Sequence, residues 1–318
     1  MRAASLVAGL FLVAAALPVR AQTPECSLYV SSAQRVCAAA VDGTRAFHPV
    51  IGVLVSGGNP TIGSGGTLGG LGHASFTVRA NAVEVVLPDL AYNGSNTAVP
   101  AGDKFWAPAP LVEGALGIYK GMPSGLFAVD LLGSAQLLPT DQIDNVTVDA
   151  SARKVGDMAL GLGYGARVGL LREMGPVPAV SVSIMRRDIP RLTYGDVPAG
   201  DRYSYGVDLH ATNLRLVASK QLMVFDLAAG LGWDKYTGDA VIRFRDPTTG
   251  TPQPNLPVEL ESSRVLTFLN AGMSLSVLRL TGEVGYQGGK DQNLSTEFED
   301  FDTTKGKFFA GLGLRVGF

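Results

Sequence analysis

Asp208-Leu209-His210 sets a carboxylate two residues from an imidazole. On a strand, a period of two puts both side chains on one face. A carboxylate that orients an imidazole can activate water, so Asp208 and His210 are the candidate catalytic pair. The same spacing also suits an Asp–His contact buried in a polar network. Other chemistries lack their residues. No Gly-x-Ser-x-Gly elbow is present, and no GxxxxGK[ST] phosphate loop occurs in the glycine-rich stretch Ser56 to Gly72. Three scattered histidines (His48, His73, His210) and two cysteines make no metal cluster, so neither metal nor cofactor is expected. Glu297, Glu299, Asp300 and Asp302 crowd around Phe298 and Phe301. Several carboxylates would suit calcium, but no glycine-punctuated ligand spacing accompanies them, and a solvated acidic loop reads the same way.

The composition narrows the setting of these residues. Charged residues are 17% of the 318 and hydrophobic residues 46%. Soluble domains carry roughly 25% charged residues, so this chain is depleted in charge but far from disordered. Net charge is −2 and no basic block occurs, which argues against a nucleic-acid partner. Met1-Arg2, an apolar run from Ala3 to Val19 and the small-residue site Val19-Arg20-Ala21 read as an export signal over 1–21, with Gln22 starting the mature chain. After Gln22 no run of 18 apolar residues follows, so no transmembrane helix is expected. In an oxidising compartment, Cys26 and Cys37 are expected to pair. A continuous helix would hold them about 16 Å apart. A disulfide needs roughly 7 Å, so pairing demands a bend between them.

Period-two alternation recurs along the remainder. Phe308, Ala310, Leu312, Leu314, Val316 and Phe318 alternate with Lys307, Phe309, Gly311, Gly313, Arg315 and Gly317. Similar segments lie at 73–87, 105–120, 126–137, 157–171, 178–188, 202–218, 223–234, 265–277 and 278–287. Two of them, 73–87 and 202–218, slip phase once, near Val83 and Asn213, as a β-bulge would cause. Connections alternate between tight turns and long polar loops at 88–104, 138–156, 188–202, 235–260 and 288–305. Trp106, Tyr194, Tyr203, Tyr205, Trp233 and Tyr286 fall near the long-loop ends, and Phe76, Phe127, Phe225 and Phe318 near the short-turn ends. Membrane barrels carry aromatic girdles at both interfaces.

The fold predicted is all-β: a transmembrane, antiparallel, up-and-down barrel of about ten strands, twelve being possible, over 72–318. Residues 22–71 precede it as a helical and glycine-rich plug or periplasmic cap. Leu28 to Val41 looks helical, and Pro49 to Val55 reads as a short strand. By parity the lumen holds Arg79, Glu113, Asp130, Asp157, Arg167, Asp208, His210, Asp226, Asp234, Arg264, Arg279, Glu283, Lys307 and Arg315. Charges there pair or meet water. Inward glycines, among them Gly161, Gly163, Gly230, Gly232 and Gly285, leave room for part of 22–71.

The alternation ending on Phe318, with Val316, Leu314, Leu312, Ala310 and Phe308 behind it, resembles bacterial outer-membrane β-barrel proteins. That resemblance implies an outer-membrane location, lipid contact, and insertion through the barrel-assembly machinery, with these six residues as its signal. Asp208-x-His210 resembles the pair of the omptin proteases, which are also ten-stranded. That family needs an acidic pair on the facing wall, which this chain lacks. Asn59-Pro60 ahead of the first strand is similar to the hatch of the long-chain fatty-acid transporters, a family with fourteen strands. The leading expectation is passive transport of small, possibly apolar, solutes gated by the plug, with no enzyme activity. The alternatives are a closed structural or adhesive barrel acting through its outer loops, and an omptin-like surface hydrolase using Asp208 and His210.

Overall fold

Ten strands of alternating polarity need partners on both edges, and a cylinder supplies them. The computed structural model describes residues 23–139, 145–149, 152–155 and 158–318. The expected signal at 1–21 lies outside them, as does Asp157. The strands are β1 (Ala74–Pro88), β2 (Ala101–Tyr119), β3 (Val129–Pro139), β4 (Met158–Leu171) and β5 (Ala179–Tyr194), then β6 (Tyr203–Leu222), β7 (Phe225–Phe244), β8 (Leu256–Leu275), β9 (Leu278–Gln287) and β10 (Lys307–Gly317). Each pairs antiparallel with the next. The pairing of β10 with β1, from Ser75↔Gly317 to Val83↔Phe309, closes the barrel. One end carries tight turns, such as Met223-Val224 and Ser276-Val277, and the other the long loops. Short strands Ala98–Val99 and Glu297–Phe298 pair in parallel and tie two long loops together.

The wall has two storeys of opposite polarity. On β7 the outer face runs Phe225, Leu227, Ala229, Leu231, Trp233, then changes to Lys235, Thr237, Asp239. Its inner face runs Asp226, Ala228, Gly230, Gly232, Asp234, then changes to Tyr236, Ala240, Ile242, Phe244, all four buried. The outward apolar band is about nine residues long, the span of a tilted strand across a bilayer. Exposed Trp106, Trp233, Tyr286 and Phe308 edge it on the long-loop side, and exposed Phe76, Phe127, Phe225 and Phe318 on the other. Leu312 and Leu314 are exposed, and Ala310 and Val316 half-buried, on the same outer face.

This inversion corrects four expectations. Neither Val83 nor Asn213 marks a slip, because the register runs unbroken through both. The inner face simply turns from Arg79 and Asn81 to Val83 and Val85, and on β6 from Arg215 and Asn213 to Ala211 and Leu209. Residues 235–260 are not one loop. β7 continues to Phe244 and β8 begins at Leu256, because above the bilayer an apolar inner face has its own core to join. Tyr194, Tyr203 and Tyr205 are buried in that core rather than set in a girdle. Asp208 and His210 share the outer face with Leu214 and Leu216, and so lie outside the lumen.

The upper core is completed by one helix, α1 (Ser31–Ser56). It packs against β1, β2, β6, β7, β8 and β10. A helix enclosed on every side has no polar face, and every residue from His48 to Ser56 is buried. The expected strand at Pro49–Val55 is therefore helix. Seven apolar residues fit either element by periodicity, and a closed ladder offers no edge to pair with. Gly52 permits the contact, because a Cβ there would stand 2.5 Å from the Tyr236 ring. A 3₁₀ turn at Pro24–Cys26 precedes α1, and the bend after it brings Cys26 to Cys37 in a disulfide with Cα atoms 5.8 Å apart.

The apolar band generates a prediction. Leu269 lies opposite Ala229, at mid-band. Leu269→Arg is expected to cost about 2–4 kcal/mol, read by urea unfolding in lipid vesicles. Glu261→Arg, on the same outer face above Trp233, is expected to change stability by less than about 1 kcal/mol.

Candidate functional site

α1 ends at Ser56 inside the barrel, where the two storeys meet. The end of a helix leaves carbonyls without intrahelical partners, and no water-filled loop lies there to meet them. The wall supplies the partners. Asn81 Nδ2 donates to Leu54 O at 3.0 Å, and Asn213 Nδ2 to Ser56 Oγ at 3.0 Å. Arg215 donates to Gly57 O at 2.9 Å and to Gly58 O at 2.6 Å. Arg79 Nη1 donates to Asn59 O at 2.7 Å. Glu283 accepts from the amides of Gly58 and Asn59 at 2.9 and 2.7 Å. Gly57 has φ of +59°, and a Cβ there would meet the Arg79 guanidinium at 2.3 Å, so only glycine fits this turn.

Lower down, the chain stays attached to the wall. Asn270 Oδ1 accepts from Asn59 Nδ2 and from the Gly63 amide at 2.9 and 3.0 Å. Arg167 Nη1 donates to Thr61 Oγ1 at 2.5 Å, the Gly65 amide to Ser219 Oγ at 2.7 Å, and the Leu68 amide to Asp130 at 3.2 Å. From there the segment reaches β1 at the short-turn end.

The charged side chains that ring this segment form a belt of ion pairs. Arg79 bridges Glu283 at 2.8 Å and Glu113 at 3.4 Å, and Glu113 in turn meets Arg187 at 3.4 Å. Arg215 Nη2 stands 3.1 Å from Asp234, Arg167 Nη2 2.7 Å from Asp130, and Arg279 2.9 Å from Asp226. Arg187 also donates to Asn213. These partners are buried, Arg279 only partly, so each charge depends on its neighbour and on the backbone it holds.

Of the residues expected in the lumen, Arg79, Glu113, Asp130, Arg167, Asp226, Asp234, Arg264, Glu283 and Arg315 are buried on the inner face. Arg264 and Arg315 make no ion pair among the described residues, and each leaves Nη1 without a hydrogen-bond partner. Lys307 is half-buried near the top of β10, its ammonium 4.9 Å above the Phe301 ring. Arg187 and Arg215 were not among the expected residues. The apolar outward neighbours Leu214 and Leu216 were the available signal for Arg215.

Asp208 and His210 have separate partners on the outer wall, above the girdle. Asp208 accepts from Arg191 at 2.8 Å and from the Asp239 amide at 2.7 Å. His210 Nδ1 lies 2.6 Å from Asp188 Oδ1. Both His210 and Asp188 are 43% exposed. In the acidic loop, the Thr304 hydroxyl and amide bond Asp302 and hold its carboxyl below the ordinary range. Among the described residues no group of three His, Cys, Asp or Glu is placed to hold a metal.

The N-terminal segment is fixed at the other end too. Asp42 accepts from Ser295 Oγ and from the amides of Ser295 and Thr296 at 2.7 to 2.9 Å. Ser32 donates to Asp246 at 3.1 Å, and Thr23 bonds Ser295 at 2.6 Å. All these partners belong to long loops. The Thr248 amide, then Ser32 and the Thr249 amide, hold the Asp246 carboxyl below its ordinary value. Two large cavities lie at opposite ends of the segment. One of about 580 Å³ lies at the short-turn mouth, beside Lys120, Arg172 and Arg279. One of about 400 Å³ lies beside Cys26, Arg35 and Tyr92 at the other end.

No protein-family model matches the chain, and no curated protein does. Among solved structures it is similar to the outer membrane protease OmpT from Escherichia coli, with 10% identity over 77% of this chain and 96% of that one and a TM-score of 0.38. It is similar to the translocator domain of the autotransporter NalP from Neisseria meningitidis, with 10% identity, 88% and 99% coverage and a TM-score of 0.43. The toluene transporter TodX of Pseudomonas putida gives 12% identity, 83% and 92% coverage and a TM-score of 0.32. Each likeness is one of fold. The closed ladder of ten antiparallel strands, the outward apolar band and its two aromatic edges are features of this chain itself. The chain has the architecture of an outer-membrane β-barrel.

Removing one member of the belt strands the others. Glu283→Ala is expected to cost about 3–5 kcal/mol. His210→Ala, which breaks an exposed pair, is expected to cost less than about 1 kcal/mol. Urea unfolding of both variants in vesicles compares the two directly.

Proposed function

We propose that this protein is a sealed barrel that carries its own N-terminal segment to the outer surface, with residues 22–71 as the plug of a barrel formed by 72–318. One observation carries the reading. The chain from Thr23 to Gly72 crosses the whole interior, starting among the long loops and ending at the short turns. In outer-membrane barrels the short turns face the periplasm, so the long-loop end is the outer one. The working surface is then the long loops together with the disulfide-closed start of the segment. Insertion through the barrel-assembly machinery, read from Phe308 to Phe318, belongs to the same proposal.

Passage of solutes through the lumen would need α1 to leave its core. Val41, Val50, Ile51, Val53, Leu54 and Val55 are all buried against the wall. At about 1.5–3 kcal/mol per buried side chain, these six alone represent on the order of 10 kcal/mol. The belt ions would also lose their partners. The same arrangement supports a barrel without a reaction of its own, since Asp208 and His210 face away from the interior.

An epitope placed between Gln22 and Thr23 is expected to bind antibody on intact cells. Planar bilayers with the whole protein are expected to stay silent, and a variant lacking 22–71 to open discrete channels. An epitope reached only after the outer membrane is permeabilised would overturn the reading. So would stable channels from the whole protein, which would favour gated transport.

A further inference from the structure

A small cavity of about 60 Å³ remains between α1 and the wall, at the level of the upper core. Phe47, Ile51 and Leu54 line it from the helix, and Val85, Phe105 and Leu192 from the strands. One polar group at this cavity is unexplained. Tyr205, also on the lining, is 1% exposed, and its hydroxyl has no hydrogen-bond partner among the described residues. The neighbouring phenol, Tyr194, already donates to Pro88 O at 3.0 Å. Buried polar atoms are rarely left unpaired without a reason. Water is a poor remedy, because an ordered water needs two to four polar partners and cavities with apolar walls stay dry.

Among the described residues, the strand ladder is incomplete beside this cavity. The ladder between β2 and β3 begins at Leu111↔Gln136, although β3 runs on to Pro139. Above that point, among the described residues, β2 pairs only with β1. Among the described residues, the edge of β5 that faces away from β6 pairs above Asp188 only with Val146–Val148, at Leu192–Tyr194. Pro108 and Pro110 have no N–H, so that stretch of β2 could not complete a ladder. Pro108 and Val146 stand at this gap and also line the cavity.

We propose that the cavity binds a small, mostly apolar molecule carrying one oxygen, with the Tyr205 hydroxyl as its hydrogen-bond donor. At roughly 10–15 Å³ per water-sized site, the space suits about four to six non-hydrogen atoms. The apolar walls supply affinity and the unpaired Tyr205 phenol selects for the oxygen. This goes beyond the sealed-barrel reading and does not depend on where the N-terminal segment emerges.

The test is a titration of the full-length protein in detergent micelles with butanone, followed by the methyl resonances of Ile51, Leu54, Val85 and Leu192. Saturable shifts confined to these methyls are expected, with those of Leu227 and Leu312 on the lipid face following only partition into detergent. Tyr205→Phe keeps the apolar walls and is expected to weaken butanone about two- to tenfold, the range for one neutral hydrogen bond. The oxygen-free 2-methylbutane is expected to bind both forms alike. Shifts that rise linearly at every methyl would overturn the proposal, as would equal butanone affinity in the wild type and Tyr205→Phe.

Discussion

Glu283 accepts hydrogen bonds from the amides of Gly58 and Asn59, from Asn270 and from Arg79, and the interior is arranged around keeping that carboxylate satisfied. A charge buried at this depth is costly unless it is paired and fully bonded. Two of its four donors are backbone groups of the N-terminal segment. The wall and the segment are thus mutually dependent. Without the segment, Glu283 and Arg215 lose ligands, and without the wall the end of α1 has unmet carbonyls in a space from which water is excluded. The ion pairs from Arg79 through Glu113 to Arg187 extend the dependence across β1, β2 and β5. Such networks add little net stability compared with an apolar core of the same shape. Their effect here is to fix how far the segment is drawn into the barrel.

Polarity explains why the belt sits where it does. Inside the bilayer the wall must be apolar outward, which leaves the inward positions to polar side chains and glycine. Above the bilayer the outer face meets water and the inner face is released to become an ordinary core. α1 lies largely in that upper storey, and its helical backbone needs nothing from the wall. The glycine-rich stretch after Ser56 lies in the lower one, where its irregular backbone needs many partners and the inward Arg, Asn and Glu residues provide them. Irregular backbone at membrane depth is tolerated only where protein encloses it.

Legibility in the sequence followed this division. All ten strands could be read, because the lipid-facing alternation is strong in segments such as Phe225 to Trp233 and Phe308 to Phe318. The disulfide was legible too, from export and the pairing of the only two cysteines. The upper storey was not. There the alternation reverses sign, so continuous strands at Val83 and Asn213 imitated a slip, and 235–244 imitated a loop. Asp208 and His210 inherited that error: a polar residue on an outward position above the bilayer has the polarity of a lumen residue within it. Arg215 was missed for the same reason, although Leu214 and Leu216 flank it. The helix at Pro49–Val55 could not be recovered from periodicity, since a segment enclosed by a barrel has no polar face to betray its turn.

The direction of threading is also set by physical chemistry. A helix carries its negative pole at the C-terminus. In this barrel that end meets Arg79 and Arg215, while the opposite end lies among the long loops, with the Ser32 hydroxyl on Asp246 and Asp42 bonded to Ser295 and Thr296. Reversed, α1 would bring its N-terminal amides to guanidinium groups that also donate hydrogen bonds, leaving both sets without acceptors. The glycine-rich stretch could no longer reach Glu283, Asn270 and Asp130 in sequence on its way to Ala74. The chain therefore has one favourable way through its own barrel, and that way leaves residue 23 at the end where the long loops gather.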